Sequence, residues 1–265
     1  MGALYLQTGV YNPGMEAAQP AQSLDLATPW LNAAGSLGFA PDQRIPIALD
    51  SLGAFITNPI SVHARRAGRP PRQLSFPGGV LLHTGHPNPG LSAALKRYAT
   101  AWARAPLPII VHLLSGRPAE VKKAVLRIEE FDNVTAVEIG VEVDSSAGLV
   151  SELIAAARGE LPVIVQLPLH RAMELAFAAL DAGAAALSLG APRGALPAPD
   201  GRLVSGRLYG PALFPLALET VRELSKMKLP VIAAGGIDTQ ARGDAMLGAG
   251  ALAVQMDVGL WKGAD

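Results

Sequence analysis

The 265-residue chain contains no cysteine, which excludes disulfides, thiolate metal sites, iron–sulfur clusters and thiol nucleophiles. It has no excess of either charge, since 22 Lys+Arg face 22 Asp+Glu. Binding to nucleic acid or an anionic membrane usually draws on a surplus of Lys and Arg that is missing here, so neither partner is expected. Charged residues are scarce altogether, at 17% against 50% hydrophobic, a balance that excludes a disordered chain. Long apolar runs are lacking too: stretches such as LPIIVHLL at 107–114 stop far short of the roughly 18 residues a membrane helix needs. The start, MGALYLQTGVYNPG, has neither a basic opening nor a continuous apolar stretch, so no signal peptide and a cytoplasmic location are expected.

What is present is a repeating pattern. Short apolar, β-rich runs are each followed by a Gly/Pro/Ser loop and then an alanine-rich stretch of helical spacing, the pattern of βα units around a parallel sheet. Strands are predicted at 30–34, 53–57, 108–114, 135–141, 162–167, 185–189, 230–234 and 251–255. Their near-continuous hydrophobicity suits strands buried on both faces, while LSAALKRYATAWARA, PAEVKKAVLRIEEF, HRAMELAFAALDAG and PLALETVRELSKM carry a helical period. Eight such units in about 250 residues, with no linker, predict a TIM (β/α)8 barrel forming one domain over 1–265, with a doubly wound sheet as the competitor. In a barrel the chemistry belongs at the C-terminal ends of the strands, so a small-molecule ligand is expected there.

Three local patterns bear on that chemistry. In AAGGIDTQARGDAMLGAGALAVQ the seventh strand runs into Gly235 and Gly236, with a helix beginning near Asp238 or Thr239. Consecutive glycines there serve either close backbone approach to a phosphate or simply a tight turn. The loop HTGHPNPGL gathers His83, His86 and Asn88 among turn residues, which suits a segment closing over a site or ordinary turn punctuation. His112 stands near the end of the third strand, beside Glu138, Glu142 and Asp144 on and after the fourth. That grouping is compatible with an acid/base site, with a buried structural histidine, or with solvated strand ends, and no metal site is expected.

Taken in order, LDLATPWLNAAGSLG, GAFITNPISVHARRAGRPPR, HTGHPNPGL, GRLYGPALFPLALETVRELSKM and VIAAGGIDTQARGDAMLGAGALAVQM resemble the dihydroorotate dehydrogenase family of flavin-dependent barrels, over about residues 25 to 260. The resemblance implies FMN across the barrel mouth, oxidation of a CH–CH group in pyrimidine biosynthesis, and a possible homodimer. It implies a phosphate held at Gly235, Gly236, Asp257 and Val258, a ring packed near Ala33, Ala34 and Gly35, and flavin contacts from Asn58, Gln166 and Gly210. Asn88, with His83 and His112, is the implied substrate-binding set.

The chain departs from that family's pattern where the chemistry is concentrated. Asn58 and Gln166 stand where the family has lysines, Val143 falls on its cysteine base, Gly140 and Ser145 replace two asparagines, and Ala191 replaces a third. Asp257 sets a carboxylate where the phosphate would lie; at about 4 Å and an effective dielectric of about 20, two such charges repel by roughly 4 kcal/mol. The expected protein is therefore dihydroorotate dehydrogenase-like with a degenerate active site. The competing readings are a non-flavin barrel enzyme with a rebuilt mouth and a non-catalytic assembly partner or sensor.

Overall fold

The computed structural model describes residues 4–6, 24–42 and 47–257. In chain order the strands are β1 (Leu4–Leu6), β2 (Leu24–Leu26), β3 (Trp30–Asn32), β4 (Phe55–Ile56), β5 (Gln73–Phe76), β6 (Gly79–Leu82), β7 (Ile109–Leu114), β8 (Val134–Gly140), β9 (Val163–Pro168), β10 (Ala186–Gly190), β11 (Arg193–Pro197), β12 (Leu203–Tyr209), β13 (Val231–Ala234) and β14 (Ala253–Met256). The helices are α1 (Leu91–Ala103), α2 (Pro118–Ile128), α3 (Ala147–Ala157), α4 (Ala172–Asp181), α5 (Phe214–Lys226) and α6 (Gln240–Gly248).

Eight strands pair in parallel in the order β3-β14-β13-β10-β9-β8-β7-β4. A parallel bridge between Leu31 and Ala54 joins the two ends and closes a (β/α)8 barrel. At this seam the side chain of Asn32 substitutes for a backbone ladder: its Oδ1 accepts from the Ile56 N–H at 2.8 Å and its Nδ2 donates to the Ile56 carbonyl at 2.7 Å. Each of the eight predicted strands overlaps one of these.

Period-two alternation divides every barrel strand between two cores. One set of residues, including Phe55, Ile109, Val111, Val137, Ile139, Val165, Leu187 and Val231, faces outward and packs with the helices. The other set, Leu31, Ala54, Ile56, Ile110, Ala136, Ile164, Ala186, Ile232 and Ala253, fills the barrel, with Leu24 and Leu26 of β2 packed against it. Burial on both sides is why these strands read as continuous apolar runs. Two residues further along the strands, the inward set turns polar: His112, Glu138, Gln166, Ser188 and Gln255. In-register pairing sets His112 beside Glu138 and Gln166 beside Ser188, so these side chains form one layer.

Two hairpins leave the C-terminal ends of the barrel and join over it. β5–β6 lies between β4 and α1, β11–β12 lies between β10 and α5, and together they form an antiparallel sheet in the order β11-β12-β6-β5. This canopy has a small core of its own around Leu81, Ala198 and Val204. The helix predicted near Thr239 is α6, whose first turn is capped by the Thr239 hydroxyl accepting from the Arg242 N–H at 3.4 Å. None of the described helices is long and apolar enough to cross a membrane.

Candidate functional site at the barrel mouth

The polar layer converges on one carboxylate. Glu138 is fully buried, and its Oε2 accepts from His112 Nδ1 at 2.6 Å. Its Oε1 accepts from the Ser188 hydroxyl and from Gln255 Nε2, both at 2.6 Å. Burial works against the charged form, yet the three donors, His112 foremost, outweigh it and hold the Glu138 carboxyl below the usual range. His112 is itself held from behind, its backbone N–H donating to the Thr57 hydroxyl at 3.1 Å.

The far side of the His112 ring bears on position 140. A Cβ on Gly140 would lie 2.7 Å from His112 Nε2, so the imidazole occupies the space that a side chain at this position would need. His112 and Gly140 act as a matched pair.

Above this floor lies a cavity of about 40 Å³, lined among others by Ala33, Ala34, His112, Gln166, Gly235 and Gln255. Its roof comes from β12, where alternation sends both Arg207 and Tyr209 to the mouth, and from His86 of the loop after β6. Arg207 Nη1 meets His86 Nε2, so the imidazole is the acceptor. Burial, followed by the charge of Arg207 and, further off, of Arg65 and Arg193, lowers His86 to about 3 and keeps it neutral. Burial likewise pushes the Tyr209 phenol up to about 12. Asp257 is buried at the edge of this cavity.

Outward, the cavity adjoins a cleft of about 400 Å³ beneath the canopy. Arg65, Arg193 and Arg207 line it against Glu142 and Asp257, with Asn58, Gly35 and His83 on its wall.

The residues singled out from the sequence divide accordingly. Ala33, Ala34, Gln166, Gly235, Asp257 and His112 meet at the mouth, and Gly35, Asn58 and His83 border the outer cleft. Asn58 is engaged with the chain, its Oδ1 accepting from the Gly38 N–H at 3.1 Å, and His83 Nδ1 donates to the Ser205 carbonyl at 2.8 Å. Asn88 is buried and consumed within its loop, donating to Ser61 Oγ and the His86 carbonyl and accepting from the N–H groups of Ser61 and Gly90. Gly236 has a packing reason of its own: with φ at 70°, its missing Cβ would lie 2.5 Å from Phe214 N. Gly210 passes close to Gly78, where a Cβ would lie 2.4 Å from the carbonyl oxygen. Val143 borders neither cavity, and its carbonyl accepts from Arg171 at 2.7 Å. Val258 lies outside the described residues. No group of three or more metal-ligating side chains occurs among the described residues.

Arg207, Tyr209, Ser188 and Gln255 were not legible as site residues individually. A signal existed in the alternation of SGRLYG and in the single buried or half-buried polar residue inside each of five apolar strands.

A closed parallel barrel with convergent polar side chains at its C-terminal strand ends belongs to the class that binds small molecules at the mouth. The dihydroorotate dehydrogenase family model matches residues 17–146. The catalytic subunit of NAD(+)-type dihydroorotate dehydrogenase B from Geobacter sulfurreducens is 30% identical over 254 residues, covering 88% of this chain and 83% of that one. Its counterpart from Pelobacter propionicus is 29% identical over 254 residues, with 88% and 84% covered. The chain belongs to the dihydroorotate dehydrogenase family. Its fold is also that of the Eimeria tenella enzyme crystallised with ferulenol, at a TM-score of 0.68 and 17% identity over 91% of this chain and 78% of that one.

Proposed function

We propose that this chain is a dihydroorotate dehydrogenase-family barrel whose mouth receives a small anionic molecule directly on Arg207, in the place where the family carries its flavin. The observation that carries this reading is the filling of the mouth by Arg207, Tyr209 and His86, which leaves about 40 Å³. A water needs about 10–15 Å³ of free volume, and ligand pockets begin at about 300 Å³, so the space suits a few waters or one small substituent.

The donor set does not fit FMN either. The flavin positions that would carry lysine ammonium groups are Asn58, tied to Gly38, and Gln166, and the phosphate side carries the buried carboxylate of Asp257. Gly236 gives no separate support for a phosphate, because packing against Phe214 requires a glycine there. A guanidinium beside a neutral imidazole, opening onto a cleft with two further arginines, suits a carboxylate of modest size in the outer 400 Å³.

Calorimetric titration with succinate tests the reading. Binding that weakens at least tenfold in Arg207→Ala is expected, and equal binding by the wild type and this variant would contradict it. The second reading is an FMN-dependent oxidoreductase, favoured by Gly235, a glycine of positive φ in the lining of the mouth. Flavin retained by the purified chain would establish that reading over the first.

A further inference from the structure

We infer that His112 and Glu138 form a base dyad in the mouth floor, which accepts a proton from an O–H or N–H group of a small carboxylate ligand. This rests on the reading that an anion enters the mouth, and adds the chemistry of the ligand's other end.

The geometry supplies three parts. Glu138 accepts from Nδ1 of His112 at 2.6 Å, which selects the tautomer with its proton on that nitrogen and its lone pair on Nε2, at the opposite edge. That edge is the one next to Gly140, and both residues line the mouth cavity, so the glycine keeps Nε2 clear of any side chain at this position. The second part is Gln255. Its Oε1 is a fully buried acceptor without a hydrogen-bond partner, on a residue that lines the same cavity. Exchanging the amide oxygen and nitrogen would set Oε1 against Glu138 Oε1, so the orientation is fixed by the carboxylate. An unpartnered acceptor at such a place calls for a donor. The third part is Arg207 in the roof, which supplies positive charge to the ligand's carboxylate.

The floor thus offers two acceptors and the roof a cation. A simple carboxylate satisfies only the roof, whereas a hydroxy acid, or an acid with an N–H group, satisfies both. In the step itself the ligand's O–H or N–H bond breaks, the electron pair stays on the oxygen or nitrogen, and the proton bonds to His112 Nε2. The imidazolium so formed lies between Glu138, which stays ionised, and the new negative charge on the ligand, whose carboxylate stays at Arg207. No oxidant, reductant or metal is consumed.

Malate and succinate differ by one hydroxyl and serve as probes. In the wild type, malate is expected to bind at least tenfold more tightly than succinate, and in His112→Phe the preference should shrink to within about twofold. A second measurement on the unaltered protein covers the case in which that variant does not fold. Nitrogen-15 NMR of His112 should show a proton on Nδ1 and none on Nε2, with the Nε2 resonance moving on addition of malate and not of succinate. Equal affinity for the two acids, or a proton on Nε2 in the free protein, would overturn the dyad. Failure of both acids to bind would instead remove the anion reading; the dyad would then stand on a bare Nε2 and fall on a protonated one.

Discussion

The floor and the roof of the mouth hold their charges in opposite ways. In the floor, Glu138 has no exposure and all three of its donors are side chains of other barrel strands. In the roof, Arg65 and Arg193 are exposed, Arg207 and His86 are half-buried, and the residues come from hairpins and loops. A buried carboxylate must be partnered to exist at all, so the floor is one arrangement with few alternatives. Partly solvated cations pay a much smaller desolvation penalty, which leaves the roof free to vary and to meet a ligand. The contrast teaches how each part tolerates change: the floor is a matched set, His112 with Gly140, in which one substitution disturbs several partners, while roof side chains such as Arg207 and Tyr209 can be exchanged singly.

The largest effect expected from that contrast is at Glu138. Glu138→Ala strips His112, Ser188 and Gln255 of their shared acceptor and should cost about 3–5 kcal/mol of unfolding free energy, measured by urea titration. Acid should act next. The folded value of His86 lies below its ordinary 6.5, at about 3, so the unfolded chain binds the proton first and stability falls as pH drops through 6.5 toward 3. The slope approaches about 1.4 kcal/mol per pH unit, and His86→Gln should flatten the part above pH 5 in melting curves run across that range. Below about 4.5, protonation of Glu138 adds a loss of the same sign, since its folded carboxyl also titrates below the ordinary value.

Gly140→Ala sharpens the matched-pair argument. The new Cβ meets the His112 ring, which is held by Glu138 and cannot yield freely, so a loss of about 1–3 kcal/mol is expected in the same urea titration. At the roof, Arg193→Ala should change stability by no more than about 0.5 kcal/mol while weakening succinate binding, which would show that the canopy arginine serves the cleft and not the fold.

The barrel was legible because its strands are buried on both faces, and strings such as IIVHLL and VIVQLP need no tertiary knowledge to be read as strands. The canopy was not, for the complementary reason. β5 and β11 alternate between exposed and half-buried positions and carry glycine or proline nearby, so QLSF and RGALP were not predicted as strands. The site was half legible. His112 and Glu138 could be seen as neighbours on adjacent strands, but the layer they share with Ser188 and Gln255 depends on register across the barrel. Asn88 shows the converse: a residue that resembles a family binding position has its hydrogen-bonding capacity spent on Ser61, His86 and Gly90.

The central claim, that side chains of this chain occupy the flavin's place, is tested most directly by absorption from 300 to 550 nm on protein incubated with excess FMN and then desalted. The account predicts no flavin band above background, both in the wild type and after loading. A band corresponding to nearly one flavin per chain would contradict it, since Arg207 and Tyr209 would then have to leave the mouth to admit the ring.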